Sequence, residues 1–290
     1  MTLNIPDQTG RTAIVTGGSS GIGRATAAAL AAKGARVILA VRDQTRGRAA
    51  AAEIGGRAES RSLDLGSLAS VREFARTVDG PVDYLINNAG AMTATLRHTA
   101  DGFESQLGVN HLGHFALANL LLDRITRRVV TVSSANYRGA HIDLADLQWQ
   151  RRPYRPFGAY GQSKLANLLF TRELQRRLTG AGSAVLATAA HPGWAATGFT
   201  MATGRRLLDR TLALGTRLLA QGPDGGARPT LLATVGDVPG AGFCGPSRFG
   251  VRGPAVLEEL SGAALDDDTA RKLWEVSERL TGVRFSLATA

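Results

Sequence analysis

Only one of the 290 residues is cysteine, Cys244, which excludes an intramolecular disulfide framework and suits a reducing compartment. No run of about 18 uninterrupted apolar residues occurs, the length a helix needs to cross a bilayer. The N-terminal stretch MTLNIPDQTGR lacks the charged and then apolar pattern of a secretion signal. A soluble, cytoplasmic protein without a membrane span is expected. Lysine is nearly missing: Lys33, Lys164 and Lys272 are the only three among 34 Lys+Arg residues. The net charge of +10 therefore rests on arginines, and these are scattered among acidic residues and alanines. Pairs such as Arg127-Arg128, Arg151-Arg152 and Arg176-Arg177 read as solvated faces rather than a groove for phosphates, so no nucleic-acid partner is expected. There is no G-x-S-x-G elbow to support serine hydrolase chemistry. His111 and His114 lack a third ligand at metal spacing, and no metal is expected.

What is present is a hydrophobic fraction of 44%, enough for a large core. Short β-branched runs alternate with longer Ala/Leu-rich stretches, the pattern of βαβ units around a buried parallel sheet. Strands are predicted at 12–16, 36–41, 60–64, 82–87, 128–132 and 184–190. Helices are predicted at 21–33, 44–54, 67–78, about 104–122 and 157–178, with Ser67 as a cap. Residues 135–157 read as irregular. From 197 to about 219, leucines fall on helical spacing among arginines, which suits a lid over a substrate pocket. In an open parallel sheet ligands bind at the carboxyl edge of the strands.

Three groups at that edge carry chemistry. TGGSSGIG, residues 16–23, lies between a strand and a helix. Its glycines, Gly17, Gly21 and Gly23, permit a tight turn and let the backbone of Ser19, Ser20 and Ile22 approach a pyrophosphate at the helix N-terminus. Arg42 follows the second strand, where its guanidinium suits a 2'-phosphate and favours NADP(H), although Asp43 next to it pulls toward NAD. Tyr160 and Lys164 stand at i and i+4, one helix face, so an ammonium beside the phenol is expected to favour phenolate. Of Ser133 and Ser134, which alternation sends to opposite sides, either is placed to serve the site.

With Asp64-Leu65, Asn87-Asn88-Ala89-Gly90 and Pro192-Gly193, these motifs stand in the order of the short-chain dehydrogenase/reductase family, which the chain resembles over most of its length. VNHLGHF (109–115), SKLAN (163–167), HPG (191–193) and LWEVSERLTG (273–282) are most similar to its branch of retinol dehydrogenases, WW-domain oxidoreductases and protochlorophyllide reductases. The resemblance implies a single doubly wound α/β Rossmann domain with a parallel sheet of about seven strands: a cofactor-binding core at 10–190, a helical substrate lid at about 194–228 and a C-terminal extension at 258–290. It implies a catalytic group of Asn110, Ser134, Tyr160 and Lys164, with Asn110 kinking its helix to hold a water. Asn87 would tie strands together, Asp64 and Leu65 would face adenine, and Asn88, Ala89, Gly90, Pro192, Gly193 and Thr197 would line the dinucleotide.

The expected activity is NADP(H)-dependent interconversion of a carbonyl and an alcohol on an apolar or aromatic small molecule, with Trp149, Tyr154, Phe157 and Trp194 as candidate pocket aromatics. Reduction of a C=C bond and a dinucleotide-sensing protein without turnover are the alternatives. The resemblance admits a homodimer, a homotetramer or a monomer.

Overall fold

A computed structural model describes residues 4–193 and 222–287. Its sheet has the order β3-β2-β1-β4-β5-β6-β7-β8. The strands are β1 (Thr12–Thr16), β2 (Arg36–Val41), β3 (Ala58–Ser62), β4 (Val82–Asn87), β5 (Ile125–Val132), β6 (Leu186–Ala190), β7 (Phe243–Arg248) and β8 (Arg252–Glu258). All neighbours are parallel except β7 and β8, which form an antiparallel hairpin at the edge. The expected parallel sheet of about seven strands is present as β1 to β7, and among the described residues one more strand joins its edge. The added strand is the reversed one, and sequence pattern hides it because β7 and β8 carry Pro246 and Pro254, which only an edge pairing tolerates.

Alternation along the strands builds a core on each face. Ala13, Val15, Val37, Leu39, Tyr84, Ile86 and Val130 point to one side. There α1 (Gly21–Ala31), α2 (Gln44–Ile54) and α7 (Pro223–Val235) cover them. Ile14, Ile38, Leu85 and Val129 point to the other, under α3 (Leu68–Thr77), α5 (Gly113–Leu121), α6 (Pro156–Gly180) and α8 (Asp267–Thr281). A short α4 (Ser105–Leu107) runs into α5 through a π-turn at Gly108–Leu112. The Ser67 cap forms as expected, its hydroxyl accepting from Ser70 N. Of the expected lid, residues 194–221 lie outside the described residues, and residues from Pro223 onward begin α7, whose Ala227 and Leu231 are buried in the core. Among the described residues, no helix is long and apolar enough to cross a membrane.

The chain leaves β1 toward β2 on one side and reaches β4 on the other, so the strand order reverses between β1 and β4. A crevice opens at such a switch point, outside the carboxyl ends of the strands.

Candidate active site

At the switch point Gly17 has φ +67°, and a Cβ there would lie 3.1 Å from Ala89 Cα; a Cβ on Gly23 would lie 2.4 Å from Asn88 Nδ2. Side chains at these two positions would push the glycine turn off the end of β4. Ser20 caps α1 without a side-chain hydrogen bond, which leaves the first N–H groups of the helix directed outward, as a pyrophosphate requires. The residues present therefore fit a dinucleotide. Ser20 is exposed, Ser19 and Gly21 are half-buried, and Ile22 is buried against the core.

Thr16 fastens the turn to β4: its hydroxyl accepts from Asn88 N and Ala89 N at 2.9 Å each, while Asn88 Nδ2 donates to Thr16 O at 2.8 Å. The same hydroxyl lies 2.9 Å from His114 Nε2, and His114 Nδ1 donates to Asn110 O at 2.9 Å. Burial first, with the Lys164 charge adding to it against the Asn110 hydrogen bond, pushes His114 down to about 4. His114 is thus a neutral strut between the glycine turn and the π-turn that carries Asn110. His111 Nε2 meets Ser277 Oγ of α8 at 2.9 Å.

Asn110 sits in the π-turn, fully buried. Its Oδ1 accepts from Ala91 N at 2.6 Å, and its Nδ2 donates to Ala91 O at 3.0 Å and Ser163 Oγ at 2.9 Å. The helix irregularity implied at Asn110 is this π-turn, and the amide clasps the strand-end loop. A Cβ on the intervening Gly90 would be 3.5 Å from both Asn110 Oδ1 and Lys164 Nζ, so Gly90 sits against both groups.

α6 supplies Tyr160 and Lys164. Lys164 is 2% exposed, donates to Val132 O at 3.1 Å and lies 5.6 Å from the Tyr160 ring centroid. Burial pushes it down to about 8. Burial pushes the Tyr160 phenol up to about 12, with a hydrogen bond to Ser134 working the other way. Desolvation outweighs the Ser134 hydrogen bond, and at neutral pH the phenol keeps its proton, whereas the expectation was of a tyrosine drawn toward phenolate. The two serines make different contacts. Ser133 is buried and donates to Lys164 O at 2.7 Å, whereas Ser134 meets the phenol and caps the turn Ala135–Tyr137 through Asn136 N at 3.3 Å.

Arg42 is exposed at the end of β2, with no ion pair among the described residues. Asp43, which pulled toward NAD, is engaged as the cap of α2, accepting from Arg46 N at 3.0 Å. Asp64 closes its own turn by accepting from Gly66 N at 2.9 Å, and this ends β3 two residues early. Leu65 does not face the crevice with its side chain: it is 7% exposed, inside the core beneath α5. The Asn87 amide, implied to tie strands, is fully buried and has no hydrogen-bond partner among the described residues.

Pro192 and Gly193 follow β6 at the same edge, and Gly193 adopts φ +69° against Val251 O of the hairpin. Thr197 and Trp194 lie outside the described residues. The other pocket aromatics are only partly available. Trp149 is buried under the Arg152 guanidinium, Tyr154 OH is engaged with Glu104, Gln106 and Thr93, and Phe157 is exposed. Sequence reading missed Glu104, whose buried carboxylate accepts from Gln106 N and Leu107 N at the start of the catalytic helix. It also missed Glu258, 3.1 Å from His191. Neither carries a sequence signal: Glu104 stands among Asp101, Ser105 and Gln106, and Glu258 is followed by Glu259.

A family model for short chain dehydrogenases matches residues 11–207. Retinol dehydrogenase 13 of Homo sapiens is 43% identical over 293 residues, covering 94% of this chain and 85% of its own. Polyprenol dehydrogenase of Mus musculus is 41% identical, covering 96% and 86%. Among solved structures, an uncharacterized protein from Mycobacterium paratuberculosis is 50% identical over 98% of both chains, with a TM-score of 0.85. The RhlG/NADP active-site complex of Pseudomonas aeruginosa is 26% identical over 79% of this chain and 91% of its own, with a TM-score of 0.62.

Proposed function

This chain belongs to the short-chain dehydrogenase family and is an oxidoreductase acting on an alcohol or carbonyl, and from that premise we propose that it works with NADP(H) on a hydrophobic substrate. The observation that carries the reading is the convergence of Ser134, Tyr160, Lys164 and Asn110 beside Gly90 at the switch-point edge. The dinucleotide, when bound, supplies the hydride donor or acceptor.

The protein's own part is proton handling and alignment. Tyr160, protonated at neutral pH, gives its proton to the carbonyl oxygen in reduction and is left as phenolate; in oxidation it is the phenolate form that takes the proton from the hydroxyl. Ser134 donates to the same oxygen and polarises it. As negative charge develops on the phenol, the buried Lys164 ammonium offsets it, and low surrounding polarity strengthens that interaction. Asn110 holds Ala91, and with it Gly90, against the lysine.

Exposed Arg42 supports NADP(H) over NAD(H), since a free guanidinium at the end of β2 pairs with a 2'-phosphate and Asp43 is spent on capping. The relatives named for retinol and polyprenol support an apolar alcohol or its carbonyl as substrate. The stretch of leucines at 207–219 is proposed to cover that pocket. Thr197 is proposed to meet the cofactor, as are the glycine turn, Asp64, the Leu65 backbone, Asn88, Ala89, Gly90, Pro192 and Gly193.

The test is oxidation of NADPH and NADH with aldehydes, ketones and enones, with product identification, for wild type and Tyr160→Phe. Alcohol products with NADPH, lost in the variant, bear the proposal out. Saturated ketones from enones mean C=C reduction, and tight NADPH binding without turnover on any substrate means a sensor.

A further inference from the structure

The edge hairpin β7–β8 reaches the active site through a gap left by a glycine. A Cβ on Gly245 of β7 would lie 2.0 Å from Glu258 Oε1 and 2.2 Å from His191 Nε2. The missing side chain is what lets a carboxylate on β8 cross β7 and meet a histidine at the end of β6. Glu258 Oε1 is 3.1 Å from His191 Nε2, and Glu258 Oε2 is 3.1 Å from Arg138 Nη2.

Each partner belongs to a different wall of the site. His191 is fully buried, with its ring stacked on Phe243 at a centroid distance of 5.1 Å. Its Nδ1 accepts from Gly193 N at 3.3 Å, so the ring proton sits on Nε2 and is donated to Glu258. Arg138 ends the turn that Ser134 begins, with Tyr137 N donating to Ser134 O at 3.0 Å and Arg138 N to Ala135 O at 3.1 Å. Burial disfavours the Glu258 charge, but the His191 hydrogen bond and the Arg138 guanidinium hold its carboxyl below the usual carboxylate value. No residue of this trio takes part in the proton chemistry described above.

We propose that Glu258 is a positioning residue that holds both walls at once: through His191 it sets the loop that carries Pro192 and Gly193, and through Arg138 it sets the turn that presents Ser134. The inference rests on the reading of Pro192 and Gly193 as dinucleotide contacts and of Ser134 as the hydroxyl that polarises the substrate. A charge-assisted contact of this kind, half-buried at Glu258 and fully buried at His191, gives a direct expectation, because removing the carboxylate frees both partners.

The experiment uses the full chain and measures the NADPH dissociation constant by nucleotide fluorescence, kcat on a carbonyl substrate, and Tm, for five variants. Glu258→Ala raises the NADPH Kd and lowers kcat, each roughly tenfold. Glu258→Gln still accepts from His191 Nε2 but loses the ionic partner of Arg138, so Kd stays within about twofold of wild type while kcat falls. Arg138→Met lowers kcat and leaves Kd unchanged. Gly245→Ala, which leaves all three side chains in place but sets a methyl between Glu258 and His191, raises Kd as Glu258→Ala does.

This split between Kd and kcat is what a merely structural role does not produce. NADPH affinity and kcat declining together in every variant, in step with Tm, overturns the proposal, as does wild-type behaviour of Glu258→Ala. Tyr160→Phe is assayed alongside. Turnover retained there overturns the catalytic reading, whereas turnover lost there with Glu258→Ala unchanged overturns this inference alone.

Discussion

Tyr160 and Lys164 are set by burial in opposite directions, the phenol up to about 12 and the ammonium down to about 8. Below about pH 8 the lysine is charged and the phenol neutral, and between about pH 8 and 12 both are neutral, which sets the pH dependence. The profile of kcat/KM for NADPH, which reports the free enzyme, is flat through neutrality and falls above about pH 8 as Lys164 loses its proton. Lys164→Arg, if it binds NADPH, moves that limb upward, since a guanidinium holds its proton far beyond this range. Tyr160→Phe removes the acid and lowers kcat by about 10² to 10⁴ while NADPH still binds. Stopped assays across pH and a fluorescence titration of the variant read both effects.

At the scale of elements, the glycine turn and the π-turn place groups that no single helix or strand would bring together. Gly23→Ala inserts a methyl where Asn88 Nδ2 stands 2.4 Å from the Cβ position and Gly17 O 2.6 Å. Backbone rather than a flexible chain end must yield, so NADPH affinity is expected to fall by tenfold or more, read by fluorescence titration, with the sheet intact by circular dichroism. On α8, Trp274 is stacked on Phe170 at 5.7 Å, meets Phe115 edge-on at 4.8 Å and lies under the Arg177 guanidinium. Trp274→Ala is expected to cost about 3–5 kcal/mol, measured by denaturant unfolding, because the cavity opens between α5, α6 and α8.

For the whole molecule, two buried neutral histidines link stability to acid. Burial, with the neighbouring His114 charge adding to it, pushes His111 down to about 3, and burial pushes His114 down to about 4, both from 6.5. The unfolded chain binds these protons at higher pH than the folded one, so their contribution to stability is complete above about pH 6.5 and is lost as pH falls toward 4 and then 3. Tm is expected to drop steeply across that window. A His111→Gln variant, measured by the same thermal scans, is expected to show a shallower slope.

The elements β1, β2, α2 and β4 agree with their sequence patterns to the residue, because strands buried on both faces leave short, mostly apolar runs and local breaks mark the ends: Gly17 after β1, the Asp43 cap between β2 and α2, Gly55 after α2 and Asn87-Asn88 at β4. The glycine turn, the Tyr160/Lys164 spacing and the Asn110 irregularity are likewise local, set by residues within one or two turns of chain. What pattern does not reveal is α7, where Gly225, Gly226 and Pro229 read as helix breakers yet packing against α1 and the sheet overrides them. The hairpin β7–β8 is hidden for the same kind of reason, as its prolines are tolerated only by an edge pairing. The protonation of Tyr160, the separate duties of Ser133 and Ser134, and the reach of Glu258 across Gly245 to His191 were decided only by tertiary structure. Each depends on desolvation or on contact between residues far apart in the chain, and neither quantity exists until the sheet has closed.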